Sequence, residues 1–390
     1  MAEFFDPLPI DEIFPQEETP SFHRLGNLIR AYTDENDFPE FQDADLALIG
    51  VGEERNAVHN EGCGEGPDQI RKFLYRLAPG FVTPRIIDLG NLKRGHTVSD
   101  TYFALSSVLA ELLNANIIPV ILGGSQDLTY ANYQAYQNIG QIINIVSVDS
   151  MFDLGQSEHE LNSQSFLSSI ILYQPNYLFN YANIGYQSYF IDPEALKLMK
   201  NLFFDTYRLG ILRENMEEIE PIVRNADMLT FDISSVRFSD APGNRNATPN
   251  GFYGEEVCQI MRYAGLSDKL TSIGFYEYNP RCDRDGQTAH LIAQMIWYFM
   301  DGFVNRQHDF PFRNEEDYVK YHVSITDHKQ DIVFYKSKKT DRWWMEIPLP
   351  AEQRIKYERH YLVPCSYKDY QAASNNEIPD RWWMVYQKLL

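Results

Sequence analysis

The sequence predicts an α/β protein with three layers, in which a mainly parallel sheet lies between two layers of helices. Between about residues 45 and 305, short unbroken apolar runs alternate with longer segments whose apolar residues recur at helical spacing. Strands that are apolar on both faces are typical of parallel sheets covered on both sides. The chain has 390 residues, 44% of them hydrophobic, so it can bury a large core.

The predicted elements follow one another in the order that such a sheet requires. Helix starts are marked by capping residues, as where Asp192, Pro193 and Glu194 supply a cap, a first-turn proline and an acid. Strands are predicted over residues 44–52, 117–124, 143–149, 181–186, 226–234 and 270–277. Helices are predicted over residues 99–116, 127–140, 254–265 and 286–303, and from residue 192 onward.

Two terminal regions differ from this α/β domain, which is predicted to span residues 44–305. Residues 1–43 are rich in Pro, Glu, Asp and Phe and are predicted to form an N-terminal arm. Residues 306–390 form a C-terminal extension with four of the five tryptophans and two copies of DRWWM, at 341–345 and 380–384. A five-residue match is too short to indicate a repeat. Residues 331–347 predict a β-hairpin, and the extension either packs on the main domain or binds a protein partner.

Composition excludes several classes of function. The chain has 34 Lys and Arg against 55 Asp and Glu, a net charge of −21, which argues against nucleic acid or an anionic membrane as a partner. The N-terminus lacks the pattern of a signal peptide, and no apolar run is long enough to span a bilayer. The four cysteines lie far apart without a CxxC motif, and are expected to be free thiols in a reducing cytoplasm.

Polar side chains follow four of the predicted strands, at the point where each strand ends. In open parallel sheets ligands bind beyond the carboxyl ends of the strands. Carboxylates from separate strand ends therefore converge on one crevice, which is how a hard cation is held in such a sheet. The stretches are GGSQD (123–127), DSMFD (149–153), FDISSVRFSDAPG (231–243) and FYEYNP (275–280).

The order and spacing of these stretches resemble the arginase–agmatinase–formimidoylglutamase family, the ureohydrolases. The family motifs at these places are Gly-Gly-Asp-His, Asp-Ala-His-x-Asp, and Ser-Phe-Asp-x-Asp-x-x-Asp-Pro followed by Ala-Pro-Gly. The resemblance covers about residues 44–305 and implies an arginase-like fold and a homo-oligomer. Flanking stretches that also resemble the family are NEGCGEGPDQIRKFLYRL (60–77), ATPNGFYGEE (247–256) and FYEYNPRCDRDGQTA (275–289).

The family holds two Mn²⁺ ions with two histidines and four aspartates, and a bridging hydroxide attacks the carbon of a guanidino or formimino group. By this resemblance, three ligand aspartates are present here: Asp149, Asp153 and Asp232. The other three ligand positions are replaced, by Gln126, Met151 and Ser234. Glu277 matches the family's acidic substrate residue, so the substrate pocket is expected to contain Glu277, Asn279, Gln126 and Ser234.

The replacements fall mainly on one of the two metals. The first metal would keep its three aspartates, and Gln126 can offer an amide oxygen. The second would lose a histidine to Met151 and an aspartate to Ser234, and a thioether is a poor ligand for a hard ion. The sequence therefore predicts a ligand- or partner-binding protein that has lost two-metal hydrolysis and has no cofactor. The alternative is an active hydrolase of a linear amidine or guanidino compound that uses one Mn²⁺ or Mg²⁺ ion.

The crowded carboxylates need compensation in either case, since like charges in one pocket repel. One hard ion is a solution. A second is an arginine, for which Arg237 and Arg245 are candidates, and a third is a set of hydrogen bonds from neighbouring serines. Independent roles also stay open: Asp153 as a cap for the next segment, and Glu277 as an ion-pair partner of Arg281.

Overall fold

A computed structural model describes residues 1–15, 24–155, 160–311, 315–326 and 331–389. Parts of the predicted arm and of the C-terminal extension thus lie outside the described residues. Within them, ten strands form one large sheet. In chain order these are β1 (Phe5–Asp6), β2 (Arg30–Ala31), β3 (Leu46–Val51), β4 (Ile86–Leu92), β5 (Ile118–Leu122), β6 (Ile143–Val148), β7 (Leu178–Tyr186), β8 (Asp205–Arg208), β9 (Met228–Asp232) and β10 (Ser272–Tyr276).

Helices cover both faces of this sheet, so the three-layer α/β prediction is confirmed. The helices of the main domain are α1 (Ile10–Ile13), α2 (Gly66–Leu74), α3 (Val98–Asn114), α4 (Leu128–Asn138), α5 (Phe166–Leu172), α6 (Pro193–Asn201), α7 (Leu209–Glu214), α8 (Ile219–Arg224), α9 (Gly254–Gly265) and α10 (Gln287–Val304). Every residue of β3, β5 and β6 is buried, as expected of strands packed on both faces. The predicted cap of α6 is present, with Asp192 accepting a hydrogen bond from the Glu194 N–H at 2.8 Å.

The strand order places the polar strand ends side by side. The order is β1-β4-β3-β5-β10-β9-β6-β7-β8, with β2 also on β4. All pairs are parallel except β1 with β4. The strands that precede GGSQD, FYEYNP, FDISS and DSMFD are therefore four consecutive neighbours, β5, β10, β9 and β6, in the middle of the sheet. Their loops open at one edge of the sheet.

Some strands of the sheet were not predicted from the sequence. β4 contains Asp88, Gly90 and Asn91, and its Asp88 is buried against Arg71 at 2.8 Å. β8 has the sequence DTYR and lies at the edge of the sheet, where half-exposed polar residues are tolerated. The N-terminal region also adds β1 and β2 beside β4. Neither β4 nor β8 shows the continuous apolar run that marked the other strands.

The C-terminal extension folds as a separate four-stranded antiparallel sheet with helices. Its strands are β11 (Tyr318–Val323), β12 (Ile332–Ser337), β13 (Trp343–Glu346) and β14 (Leu362–Cys365), paired in that order. Its helices are α11 (Ala351–Lys356), α12 (Tyr367–Ser374) and α13 (Asp380–Leu389). β12 and β13 form the predicted hairpin. The first DRWWM enters β13 and the second begins α13, so the two copies are not a structural repeat.

The extension packs against the amino ends of the parallel strands, on the side of the sheet opposite the polar strand ends. Arg359 donates to Asp227, the residue before β9, at 2.6 Å, and the His360 ring contacts the Ile142 carbonyl, just before β6, at 3.1 Å. Arg224, at the end of α8, donates to the Trp343 carbonyl at 3.1 Å. The extension is thus joined to the main domain by buried polar contacts.

The four cysteines are unpaired. Among the described residues, no helix is both long and apolar enough to cross a membrane.

Candidate functional site

Three aspartates from two strand ends meet at the centre of the open edge. Asp149 follows β6, Asp153 lies four residues later, and Asp232 ends β9. One carboxylate oxygen of each lies within 4.8 Å of the others. Exposed fractions are 1%, 6% and 7%, so the cluster is shielded from water. Within the described ranges, these three form the sole group of three or more His, Cys, Asp and Glu side chains placed to hold one ion.

The loop after β6 turns at once, which directs both of its aspartates inward. Asp149 Oδ1 accepts a hydrogen bond from the Met151 N–H at 2.9 Å, while Met151 itself is half-buried. Asp153 has a φ of +51°, a left-handed conformation that is uncommon outside glycine, although asparagine and aspartate adopt it more readily than other residues. Such strained backbone is concentrated at binding and catalytic sites. Asp149 Oδ2 and Asp153 Oδ2 are buried and have no hydrogen-bond partner among the described residues.

Asp232 is fixed by the turn that follows β9. Its Oδ1 accepts a hydrogen bond from the Ser234 N–H at 2.7 Å, and its carbonyl accepts one from Ser235 Oγ at 2.7 Å. Ser234 is buried beside the cluster. It therefore supports Asp232 through its backbone and offers a neutral hydroxyl where the family motif has a carboxylate.

Glu277 lies at the next strand end and is held at both of its carboxylate oxygens. Oε1 accepts from the Gln126 N–H at 2.8 Å and Oε2 accepts from Asn60 Nδ2 at 2.7 Å. Its backbone φ is +65°, and its carbonyl accepts from Asn244 Nδ2 at 2.7 Å. Arg281 pairs with Glu65 instead, so the alternative in which it neutralises Glu277 is wrong. The Glu277 carboxyl group therefore lies in the protein interior, where it is only 2% exposed.

Asn279 contributes to the site indirectly. Its Nδ2 donates to Asn60 Oδ1 at 3.1 Å and to the Glu61 carbonyl at 3.0 Å. The Asn279 side chain thus anchors the loop that carries Asn60, which in turn holds Glu277. Asn60 was not singled out from the sequence, although it begins the quoted NEGCGEGP stretch, because a contact between residues 217 positions apart leaves no local signal.

Gln126 enters the site from the end of β5. Its N–H donates to Glu277, and its Nε2 donates to Thr230 Oγ1 at 2.9 Å. Thr230 precedes Asp232 by two residues on β9, so both side chains are on the same face of the sheet. Gln126 is fully buried, and its Oε1 has no hydrogen-bond partner among the described residues.

Among the residues that the structure describes, no arginine neutralises the cluster, which corrects the sequence-based candidates Arg237 and Arg245. Arg237 donates to Asp240 at 2.8 Å and lies over the Tyr253 ring at 3.8 Å. Arg245 pairs with Glu61 at 3.1 Å, near the surface. The carboxylate that Arg237 meets is in its own loop, whereas the one that Arg245 meets is in the loop after β3.

The electrostatic consequence is a set of acids that resist ionisation. Burial, and then the neighbouring carboxylates Asp153 and Asp232, raise the pKa of Asp149 well above its usual value. Burial likewise raises the pKa of Asp153, Asp232 and Glu277, in each case as the largest cause. The pocket therefore favours any cation that can replace water around these oxygens.

Histidine does not join the site in the described part of the chain. His290 lies in α10 and stacks on Phe73 with ring centres 5.2 Å apart. His59 is exposed, with a φ of +59°, on the loop next to Asn60. His96 belongs to a different network, around Glu53, in which the His96 carbonyl accepts a hydrogen bond from Arg55 at 2.8 Å.

The donor set fits one hard ion and does not fit two. The carboxylates of Asp149, Asp153 and Asp232 are donors that suit Mg²⁺, Ca²⁺ or Mn²⁺. Gln126 has a buried amide oxygen without a hydrogen-bond partner among the described residues. A second ion would depend on the Met151 thioether and the Ser234 hydroxyl, with no imidazole. A thioether is a poor ligand for a hard divalent ion, and a neutral hydroxyl brings no negative charge to hold one.

Comparison with known proteins gives the family. Residues 44–301 match the arginase family. The chain belongs to the arginase family. A formimidoylglutamase of Staphylococcus aureus (strain MSSA476) is 26% identical over 266 residues, which is 65% of this chain and 85% of that protein.

Solved structures show the same fold. Formimidoylglutamase from Bacillus subtilis has a TM-score of 0.66 at 18% identity, covering 76% of this chain and 96% of that one. Formiminoglutamase from Trypanosoma cruzi, solved with Mn²⁺, has a TM-score of 0.63 at 19% identity, covering 73% and 99%. Arginase from Medicago truncatula has a TM-score of 0.58 at 19% identity, covering 67% and 88%. The main domain of this family member is therefore arginase-like, and the prediction made from the strand-end motifs is confirmed.

Proposed function

We propose that this arginase-family protein has lost two-metal hydrolysis of C–N bonds and acts as a ligand-binding protein through its buried carboxylate pocket. The supporting observation is a pocket whose scaffold is intact while three of the six family ligand positions hold Gln126, Met151 and Ser234. A hydroxide that bridges two metal ions loses most of its activation when one of the ions is missing. Without the second ion, the pocket keeps affinity for cations but lacks a strongly activated nucleophile.

The first experiment is an activity assay on the purified full chain with and without added Mn²⁺. Agmatine, arginine and formiminoglutamate are the substrates, and urea, formamide and ammonia are the products to measure. We expect no metal-dependent product above the rate of the protein-free reaction. Turnover that requires Mn²⁺ and saturates with substrate would show that the proposal is wrong.

A matched variant tests whether the three replacements are the cause. The triple substitution Gln126→His, Met151→His and Ser234→Asp restores the family donors on the same scaffold. Because imidazole and carboxylate replace an amide, a thioether and a hydroxyl, we expect two Mn²⁺ per chain in the triple variant and at most one in the unmodified protein. Equal stoichiometry in the two proteins would mean that these positions do not set metal loading.

A one-metal hydrolase is the second candidate. It is favoured by Glu277, which is kept at the family's substrate position and held by two hydrogen bonds. In this case hydrolysis of a formimino or guanidino compound depends on Asp153 and Glu277, and each single substitution, Asp153→Asn or Glu277→Gln, abolishes it. Activity that survives both substitutions would point to a contaminating enzyme.

A second role, protein binding, belongs to the C-terminal extension and lies away from the pocket. We propose this role for the side chains around Tyr367, which is 54% exposed and stacks on Tyr370 at 5.8 Å. The surface lies near the amino ends of the strands, so a partner there would not touch the carboxylates. If the Tyr367→Ser substitution leaves the recovery of every co-purifying protein unchanged, the protein-binding role of this surface is ruled out.

We also propose that the protein works in a reducing compartment such as the cytoplasm, because its four cysteines are unpaired.

A further inference from the structure

We propose that this chain forms a two-fold symmetric dimer in which Phe81 of each copy inserts into an apolar groove on the other copy. Phe81 lies in the loop between α2 and β4, and its side chain is fully exposed. The proposal goes beyond the proposed function, because Phe81 and the groove lie on the side of the sheet opposite the carboxylate pocket.

The groove lies at the amino ends of β3, β5 and β10 and has a volume of about 540 Å³. Its walls come from the end of α3, the end of α10 and the loop that carries Phe81. Among the residues that line it, Leu113, Phe303 and Val304 are half-buried apolar side chains, so each still has apolar surface in contact with water. A groove of this size and lining can take up an aromatic side chain.

Phe81 belongs to a larger apolar patch. Val82, the next residue, is 66% exposed. The Trp297 ring of α10 lies at the base of the same loop, where its Nε1 donates to the Ala78 carbonyl at 2.7 Å, and its neighbour Tyr298 is 39% exposed. Adjoining exposed apolar side chains of this kind mark contacts between proteins.

A second copy of the chain is the occupant that fits the groove, because the protruding ring and the groove lie on one face. Val82, Thr83 and Pro84 line the groove and directly follow Phe81 in the chain. A face that carries both features is complementary to itself after a two-fold rotation, and the same contact is then made twice. Since the Phe81 side chain is fully exposed, it does not fill the groove of its own chain.

Charge also favours contact between copies on this face. Each copy has a net charge of −21, so two copies repel one another in general. Residues 69–87 nevertheless contain four basic residues and no acidic residue. The groove is lined by both signs of charge, with Asp45 and Asp268 beside Arg306, and Arg85 pairs with Asp45 at 2.7 Å. The repulsion between copies is therefore locally small on this face.

Sedimentation equilibrium of the purified full-length chain, over a range of concentrations, tests the proposal. We expect a monomer–dimer equilibrium. Phe81→Asp should raise the dissociation constant of the dimer at least about 10-fold, because it removes the central aromatic anchor and places a charge in an apolar groove. Ile355→Asp is the matched control: Ile355 is 84% exposed on α11 of the extension, and its substitution should leave the dissociation constant unchanged.

A variant of the groove provides a second, complementary test. Val304→Trp fills the groove and leaves Phe81 in place, so this variant alone should also dimerise weakly. In an equimolar mixture with Phe81→Asp, the Phe81 side chain of one variant can enter the open groove of the other, which restores one of the two contacts. We expect the mixture to associate at least about 10-fold more tightly than either variant alone.

Each of five results would overturn the inference. Two concern the unmodified chain: a monomer at every concentration, or a different assembly such as a trimer. Two concern the variants alone: a Phe81→Asp dimer of full affinity, or an Ile355→Asp dimer weakened as much as that of Phe81→Asp. The fifth is a mixture of the Phe81→Asp and Val304→Trp chains that associates no more tightly than either variant alone.

Discussion

At the scale of single residues, the site is held together by a few buried amides as much as by its carboxylates. Asn60 contacts both the side chain and the carbonyl of Glu277, at 2.7 and 2.9 Å, and accepts from Asn279. It therefore joins the loop after β3 to the end of β10. Its loss would leave one oxygen of a buried carboxylate without its donor.

We predict that Asn60→Leu lowers the free energy of unfolding by about 1–3 kcal/mol, the range for leaving a buried acceptor without its donor. Urea denaturation at neutral pH measures the change. The control is Asn305→Leu, which removes a similar amide that donates to the Asp301 carbonyl from an exposed position, and it should cost less than about 0.5 kcal/mol. Equal effects of the two substitutions would mean that Asn60 is not a special support of Glu277.

The sequence identified the acids of the site better than their surroundings. Asp149, Asp153, Asp232 and Glu277 could be placed together because each follows a predicted parallel strand. The left-handed backbone at Asp153 and Glu277 could not be predicted, because neither residue type requires it. The arginine candidates failed for a related reason, since nearby sequence position said nothing about which carboxylate each arginine would meet.

At the scale of elements, the two DRWWM copies show how context overrides a short sequence. In β13 the backbone is extended, so successive side chains point to opposite faces of the hairpin. Trp343 and Trp344 therefore lie on different faces, and both are buried. In α13 the same letters make one helical turn. There Trp382 is buried and donates to the Glu346 carbonyl at 2.9 Å, whereas Trp383 is 43% exposed. Propensity alone could not have separated the two copies.

These adjacent tryptophans give a prediction with its own control. Trp382→Ala should destabilise the extension by about 3–5 kcal/mol, because it opens a cavity in the small core beneath α13 and leaves the Glu346 carbonyl without its donor. Trp383→Ala should cost less than about 1 kcal/mol, since nearly half of that side chain already faces water. Thermal unfolding followed by tryptophan fluorescence compares them, and a larger loss for Trp383→Ala would contradict the described packing of α13.

His360, in the segment before β14, gives the extension a dependence on pH. Burial, followed by the charge of Lys269, lowers the pKa of His360 to about 3 from the usual 6.5. Its ring stacks on Phe179 at 4.4 Å, and the charged groups around it are Asp227, Lys269 and Arg359. The folded protein therefore keeps this imidazole neutral at pH 5, while the unfolded chain binds a proton there. The difference favours the unfolded state as pH falls from about 6.5 toward 3.

We predict that stability lost between pH 7 and pH 5 is about 2 kcal/mol greater in the unmodified protein than in His360→Gln. Glutamine keeps a donor for the Ile142 carbonyl but does not titrate. The carboxylates of the pocket titrate equally in both proteins, so the difference between the two pH profiles isolates this histidine. Parallel profiles would show that His360 is protonated in the folded state or is not buried.

At the scale of the whole molecule, the alternation of apolar runs and helices was enough to predict six neighbouring strands of the main sheet, because buried parallel strands leave a continuous hydrophobic signal. The other four, β1, β2, β4 and β8, lack that signal. The docking of the extension could not be predicted in the same way. It depends on buried polar residues, chiefly Arg224, Asp227 and Arg359, whose partners lie about a hundred or more positions away. The extension reaches the amino ends of β6, β7 and β9, while the carboxyl ends of β6 and β9 carry the site aspartates.

Removal of the extension therefore tests whether the two sheets form one folding unit. A chain that ends at residue 305 would lose both Arg359 contacts to the fully buried Asp227, and the Trp343 and Cys365 carbonyls that accept from Arg224. Uncovered buried charges are costly, and removal of one partner from such a pair typically loses about 3–5 kcal/mol. We predict that the shortened chain is insoluble or unfolds without a cooperative transition, as judged by circular dichroism and calorimetry. A shortened chain that melts cooperatively at the temperature of the full chain would instead show that the main domain is stable without the extension.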